Sequence, residues 1–312
     1  MNQLVLCLLG LMCGLHAATW GGFKDSPFEG FKPASFVRSV LLGLGSALAI
    51  CVATDLESSQ SVLVLVGLCY VLERLATEWW KAIVREDDQS AYSIPMRLAV
   101  HGRPIDEQGR RYASGVIIAG CLLLVCWAAG EIQLAVSTPP LWSVVLVAGF
   151  GGWLTAVGGA WKDAPIEGFS GWKFLRSPVV ATTWAVLLSS FTGDWVLLTL
   201  AAAGWSVISI ETYKTFLTGG RPPGKFADKP VRFVPDAARE ACRAIHVSLY
   251  GVLAISLGIG LLPTPHLTAR DATFDQLLAS AGVALAASLA AGLVLVQAPP
   301  SARPAPETAP VR

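Results

Sequence analysis

The sequence predicts an all-α, polytopic helical membrane protein with about nine transmembrane helices. Of its 312 residues, 54% are hydrophobic and only 14% are charged, whereas a soluble globular chain carries about a quarter charged residues. The apolar residues also come in long uninterrupted blocks, which is typical of membrane-spanning helices. A polar motif that occurs twice then indicates how the helices are grouped.

Nine apolar blocks are the predicted spans. The sixth is short and follows Pro178. The first block lacks the basic segment of a secretory signal peptide, so we expect it to be retained as a helix. The nine blocks are Leu4–Trp20, Val37–Thr54, Ser61–Val84, Ala113–Ala135, Leu141–Trp161, Val179–Phe191, Val196–Leu217, Ile245–Leu262 and Leu277–Val296.

The repeated motif reads GGFKDSPFEGFKPASFVRS at 21–39 and GAWKDAPIEGFSGWKFLRS at 159–177. The copies align without gaps, and ten of the nineteen aligned positions are identical. Downstream, TEWWKAIV (77–84) aligns with IETYKTFL (210–217). We interpret the chain as an internal duplication.

The duplication predicts four segments: a first four-helix repeat at 1–136, a second at 137–263, an extra helix at 264–297, and a disordered, Pro- and Ala-rich tail at 298–312. Each repeat contains an even number of spans, so both have the same orientation in the membrane. Parallel repeats of this kind are related by an axis along the membrane normal.

The distribution of Lys and Arg predicts the orientation. With nine spans, 22 of the 23 basic residues fall on one side, and Arg270 is the exception. Basic residues accumulate on the cytoplasmic side of membrane proteins. We therefore expect an inner or plasma membrane protein with its N-terminus outside and its C-terminus in the cytoplasm, and both motif copies on the cytoplasmic side.

The motif and its downstream partner supply the candidate site residues. Gly21-Gly22 and Pro27 are expected to end the first helix and leave the motif in a loop. The candidate acid/base or metal-binding carboxylates are Asp25, Glu29, Glu78, Asp163, Glu167 and Glu211. The candidate phosphate-binding cations are Lys24, Arg38, Lys81, Lys162, Arg176 and Lys214.

Two features of these residues lead to specific expectations. Arg38 and Arg176 lie at the start of the next predicted helix, where the N-terminal dipole disfavours a cation, so each needs a motif carboxylate, a lipid phosphate or a ligand as partner. Lys81 and Lys214 lie three residues after Glu78 and Glu211, a spacing that favours an ion pair on one helix face.

Glu73 and Arg74 lie two to three turns inside the third predicted span, where the second repeat has no charge. Ionisable residues within a span usually face the bundle interior and mark function. The alternative is a charge pair that extends towards the cytoplasmic surface, and the sequence does not choose between the two.

The remaining motifs are weaker. GGRPPGKF (219–226) resembles a phosphate-binding loop only in spacing, because Phe226 replaces the metal-binding Ser or Thr and two prolines lack N–H donors. The acidic run at 85–90 is typical of a solvated loop. The four histidines are scattered, and the seven cysteines form no CxxC pair, so neither a histidine-ligated metal nor a zinc site is expected.

Three functions are compatible with these observations. The first is a cytoplasmic-face site for a phosphorylated or lipid-linked ligand, with a membrane lipid-modifying enzyme as one form of it. The second is a transporter with two pseudo-symmetric halves, and the third is a non-catalytic scaffold in which the charges only fasten loops to helices. Membrane lipids are the expected partners and nucleic acid is not. Mg²⁺ is expected only for an enzyme, and the choice between homo- and hetero-oligomer stays open.

Overall fold

Eight α-helices make up most of the described chain. The computed structural model describes residues 3–54, 56, 61–135, 141–217, 224–233 and 237–260. The only strands in these ranges are Ala99–Val100 and Arg103–Pro104, which form a small antiparallel hairpin (β1–β2). Helices α1 to α8 span Gln3–Glu29, Pro33–Ala53, Val62–Trp79, Gln108–Ala135, Leu141–Glu167, Gly171–Leu188, Trp195–Thr212 and Ala237–Gly260.

The all-α prediction is therefore confirmed, together with a membrane-compatible composition. Among the described helices, four are long and apolar enough to cross a membrane: Gln3–Glu29, Pro33–Ala53, Gln108–Ala135 and Trp195–Thr215. The other four of the first eight predicted spans fall on α3, α5, α6 and α8. The ninth predicted span and the C-terminal tail lie outside the described residues.

The end of α1 differs from the prediction. The helix continues through Gly21-Gly22 and Pro27 and stops at Glu29, before Gly30, which has a φ of 74°. A left-handed glycine is a common helix terminator. Pro27 lacks the N–H that would bind the carbonyl of Phe23, and that carbonyl instead accepts a 3.1 Å hydrogen bond from Arg239 Nε. Residues 21–29 of the motif thus occupy the last turns of α1 and not a loop, and residues 33–39 begin α2.

Helix α5 ends in the same way as α1. It stops at Glu167, and the following Gly168 has a φ of 83°. Both helices also pack closely on the next helix through a glycine: an added Cβ at Gly14 would lie 2.5 Å from the Ser39 carbonyl oxygen, and one at Gly152 would lie 2.6 Å from that of Ser177. Such small residues allow backbone-to-backbone helix packing in membranes.

Helices α3 and α7 form the centre of the bundle. Helix α1 packs on α2 and α3, α5 packs on α6 and α7, and α3 and α7 pack on each other. Gly67 and Gly204 meet at the α3–α7 crossing, and an added Cβ at Gly67 would lie 2.5 Å from the Ala201 carbonyl oxygen. Both helices begin with a side-chain cap, Ser61 on α3 and Asp194 on α7.

The connection between α3 and α4 is held by a buried arginine. Arg111 is fully buried, and it donates hydrogen bonds to the carbonyls of Ile83 (3.2 Å), Ile105 (3.1 Å) and Asp106 (2.9 Å). Because a buried guanidinium needs several acceptors, these bonds fix residues 85–107 at one end of the bundle. The rest of α4 is largely exposed, with only Arg111 and Gly115 buried.

Candidate functional site

A cavity of about 680 Å³ lies where the two motif copies meet. Its walls come from α1, α3, α5, α6 and α7 and from the segments at 94–96 and 224–227. Eleven of the fourteen residues predicted for the site line it: Lys24, Asp25, Arg74, Glu78, Lys81, Lys162, Asp163, Glu167, Arg176, Glu211 and Lys214.

The other three predicted residues lie outside this cavity. Glu29 and Arg38 line a smaller neighbouring cavity of about 70 Å³, which shares Asp25 and Lys81 with the larger one. Glu73 lines neither cavity. Helix α3 therefore brings its carboxyl-terminal charges to the site and leaves Glu73 within the bundle.

The large cavity is positively charged. Eight Lys or Arg residues and five Asp or Glu residues line it, an excess of three positive charges. A cleft lined by an excess of one charge attracts ligands of the opposite charge. Its polar composition therefore suits an anion.

The first motif copy is closed by ion pairs. Asp25 accepts a 2.7 Å bond from Lys225, 200 residues later in the chain. Lys24 lies 3.0 Å from Glu211 and 4.1 Å from the centre of the Trp20 ring. Lys24, Asp25 and Glu29, the charges at the KDxPxE positions of this copy, thus already have partners within the protein.

The second copy is open. Among the described residues, Asp163 and Lys162 form no ion pair, and the Lys162 amine contacts only the Met96 sulfur, at 3.7 Å. Asp163 lies beyond the predicted span, and burial raises the pKa of its carboxyl. Within the described part of the chain, Glu167 is the only one of the three charges at the KDxPxE positions that forms an ion pair, with Lys173.

The two aligned arginines have no carboxylate partner among the described residues. Neither Arg38 nor Arg176 forms an ion pair with the described carboxylates, and the Nε of each is buried without a hydrogen-bond partner. Burial lowers the pKa of the Arg176 guanidinium. Of the three partners expected for these arginines, the motif carboxylate is therefore wrong, whereas a lipid phosphate or another ligand stays a prediction.

The ion pairs expected at the ends of the third and seventh spans are present. Lys81 lies 3.0 Å from Glu78, and Lys214 lies 2.9 Å from Glu211. At both places the α-helix widens into a π-helical turn, at Trp80–Val84 and at Tyr213–Leu217. Single π turns within helices often occur at functional sites.

Glu73 and Arg74 have different surroundings. The Glu73 side chain is fully buried and accepts a 2.8 Å hydrogen bond from Thr77, while its second oxygen is buried without a hydrogen-bond partner and lies 4.0 Å from Arg74 Nη1. Arg74 binds Glu78 and lies 5.1 Å from the Trp20 ring centre, at the wall of both cavities. A transport path through Glu73 would need a polar cavity at that carboxylate, and neither of these two cavities includes it.

Each half of the chain covers the motif of the other half. From the first half, the Ala99 carbonyl accepts a 3.0 Å hydrogen bond from Trp161 Nε1. From the second half, the backbone N–H groups of Arg232 and Phe233 donate to the Pro27 carbonyl at 2.9 and 3.1 Å. The cavity is therefore assembled by segments that are far apart in the sequence.

Three comparisons with known proteins were negative. Protein-family models, curated proteins and solved structures all give no match to the chain. The function must therefore be inferred from the site itself.

Sequence reasoning missed Lys225 and Lys173, which pair with motif carboxylates, and it missed Trp20 and Met96 in the cavity wall. Lys225 belongs to the basic segment GGRPPGKF, so its charge was visible but its partner was not. Lys173 lies six residues after Glu167, outside the usual helical spacing.

Two of the scattered histidines also come together. The rings of His16 and His246 lie 4.0 Å apart between centroids, and both side chains are buried. His16 Nδ1 is 2.9 Å from the Tyr70 hydroxyl, and His246 Nδ1 is 3.0 Å from the Thr19 hydroxyl. The described chain holds no group of three or more His, Cys, Asp or Glu residues arranged to bind a metal ion.

Proposed function

We propose that this is an integral membrane protein whose cytoplasmic-face cavity binds a phosphate-bearing anionic ligand. The observation that carries the proposal is the pair Lys162 and Arg176, which line a cavity with an excess of three positive charges and have no carboxylate partner among the described residues. Arg and Lys are the side chains that bind phosphate oxygens most strongly. The Arg176 side chain lines the cavity and forms no ion pair with the described carboxylates.

The proposed architecture is a duplication with nine spans, in which two parallel four-helix repeats are followed by a ninth helix. Several aligned features support it. Each is a pair of equivalent elements, one from each half: the left-handed glycines Gly30 and Gly168, the close contacts at Gly14 and Gly152, the helix caps Ser61 and Asp194, and the π turns at 80–84 and 213–217.

In the proposed orientation, the cavity lies at the cytoplasmic face of the membrane. It follows from the distribution of Lys and Arg over the predicted loops. The gathering of both motif copies around one cavity supports it, because the copies then lie at the same end of the bundle. The N-terminus would be outside the cell and the C-terminus inside.

Within this site, the second motif copy takes the chemical role. Lys162 and Arg176 hold the phosphate, and Asp163 serves as the acid/base group because its carboxyl is unpaired and its pKa is raised by burial. If the protein is an enzyme, its reaction is a modification of a lipid or phosphorylated substrate at the membrane surface. The first copy holds the site together.

Binding of glycerol 3-phosphate, used as the phosphate probe, tests the proposal. Arg176→Gln and Lys162→Gln should each weaken binding by about 10- to 100-fold, the value of one charge-assisted hydrogen bond. Arg110→Gln is the control, because Arg110 is exposed and lies away from the cavity. Isothermal titration of the detergent-solubilised full chain measures all four proteins.

Equal affinities in the four proteins would contradict the proposal, provided that their thermal unfolding midpoints also agree. A loss of binding in Arg110→Gln equal to that in Arg176→Gln would also contradict it, because the attraction would then be a general effect of net charge.

A further inference from the structure

The large cavity continues from the charged motif along α5 towards the predicted span. Thr155 and Ala156 line it in addition to Asp163 and Gly168. At 1.5 Å per helical residue, Thr155 lies about 12 Å from Asp163 along the helix axis. The cavity therefore has a charged end and an end next to the apolar part of α5.

A row of aromatic rings follows the same direction. Phe169 and Phe174 line the cavity, and their ring centres are 5.5 Å apart. The Phe174 ring is in turn 5.6 Å from that of Trp153 on α5, which lies about 15 Å from Asp163 along the helix. Trp153 and Phe169 are exposed, at 42% and 64%. The row thus leads from the cavity to the outer surface of the helix pair.

The first motif copy lacks this row. Its aligned pair Phe31 and Phe36 is present, with ring centres 5.7 Å apart, but Leu15 occupies the position that aligns with Trp153. The turn that follows α1 at Gly30 is also covered, because a Cβ on Gly30 would lie 3.4 Å from the Phe233 ring. At the aligned Gly168, nothing lies within 4 Å of an added Cβ. The exposed aromatic surface is therefore specific to the second copy, whose Lys162 and Asp163 form no ion pair among the described residues.

We propose that the ligand is an amphiphile, a lipid with a phosphate headgroup, whose headgroup lies at Lys162 and Arg176 and whose hydrocarbon chain lies along Phe174 and Trp153. This inference rests on the proposed function and adds the class of ligand. Charge complementarity selects a phosphate at the cationic end, and the aromatic row supplies apolar contact area where a chain would leave the headgroup. A soluble phosphate compound would use only the charged end.

The test compares dioleoyl phosphatidic acid with glycerol 3-phosphate on the full chain in detergent, with native mass spectrometry for the lipid and calorimetry for the soluble compound. We expect Trp153→Ala to weaken lipid binding by about 10-fold, the effect of losing one large apolar contact. The affinity for glycerol 3-phosphate should be unchanged. Leu15→Ala is the matched control at the aligned position and should change neither affinity.

Trp153→Leu, which installs the residue of the first copy, is the second variant in case Trp153→Ala folds poorly. Unchanged lipid binding in both Trp153 variants, with intact glycerol 3-phosphate binding, would overturn the amphiphile and leave the phosphate site standing. If Arg176→Gln leaves the affinities for both probes unchanged, or if neither probe binds the unaltered protein, the phosphate site and the amphiphile are overturned together.

Discussion

The Lys24 amine lies 3.0 Å from the Glu211 carboxylate, and the two residues are 187 positions apart. The pair joins the first motif copy to the end of α7 in the second half. Both side chains are mostly shielded from solvent, with exposed fractions of 18% and 16%, so this ion pair is screened less than a surface pair. It is a direct link between the two halves across the cavity.

Reversing the charges of this pair tests the link. Lys24→Glu and Glu211→Lys should each destabilise the fold by about 1 to 3 kcal/mol, because each single change places like charges together. The double variant should recover part of the loss, as measured by thermal unfolding in detergent. The same exchange at the more exposed pair Lys32 and Glu29 is the control and should have a smaller effect. Losses that simply add in the double variant would show that the two charges do not interact.

The two aligned aspartates should respond differently to neutralisation. Asp25→Asn breaks a shielded ion pair with Lys225 and should cost about 2 kcal/mol of unfolding free energy. Asp163 has no ion pair among the described residues, and its folded pKa is raised above the ordinary 3.8. Since the folded state therefore disfavours the charged form at neutral pH, Asp163→Asn should be neutral or slightly stabilising. An equal loss in both variants would argue against an open second copy.

Ligand affinity should depend on pH through Asp163. Burial raises the pKa of this carboxyl. On acidification it is therefore protonated at a higher pH than an ordinary aspartate. Protonation removes a negative charge beside Lys162, and the affinity for an anion should rise as the pH falls through the raised pKa of Asp163. Asp163→Asn should bind the same ligand with less pH dependence, and the ligand's own titration cancels in the comparison. Identical pH profiles would exclude this role for Asp163.

Aligned glycines provide a matched test of the helix packing. Gly14→Ala and Gly152→Ala place a methyl group against a backbone carbonyl and should each destabilise the fold by about 1 to 3 kcal/mol. Gly21→Ala and Gly159→Ala add the same group where nothing lies within 4 Å, so they should be neutral or gain up to about 1 kcal/mol from helix propensity. Thermal unfolding of the four variants checks this. Similar effects at all four sites would contradict the close packing.

The helices were predictable because their signal is local. Each of the first eight predicted spans was a long apolar block, and each falls on a helix. The motif residues could be chosen because they occur twice, separated by the same number of positions. The exact ends were less predictable. Gly21-Gly22 resembles a helix terminator, yet α1 continues to Glu29. The helix also passes Pro27, where Arg239 donates to the Phe23 carbonyl that the proline leaves without a helical partner.

The pairing within the site was not predictable from spacing. Asp25 binds Lys225 across 200 positions, and no local pattern gives that contact. The asymmetry between the copies has the same origin, because identical residues at aligned positions receive different partners from the opposite half. Only long-range packing within the chain distinguishes Asp25, which is paired with Lys225, from Asp163, which forms no ion pair among the described residues.

The most direct test of the central claim asks whether both motif copies face the same side of the membrane. Lys32→Cys and Ser170→Cys occupy aligned, exposed positions, and Gly193→Cys at the opposite end of the bundle is the control, each in a cysteine-free background. A membrane-impermeant maleimide should label positions 32 and 170 only in inverted vesicles and position 193 only in intact cells. Labelling of 32 and 170 from opposite sides of the membrane would contradict the parallel duplication and the shared cavity.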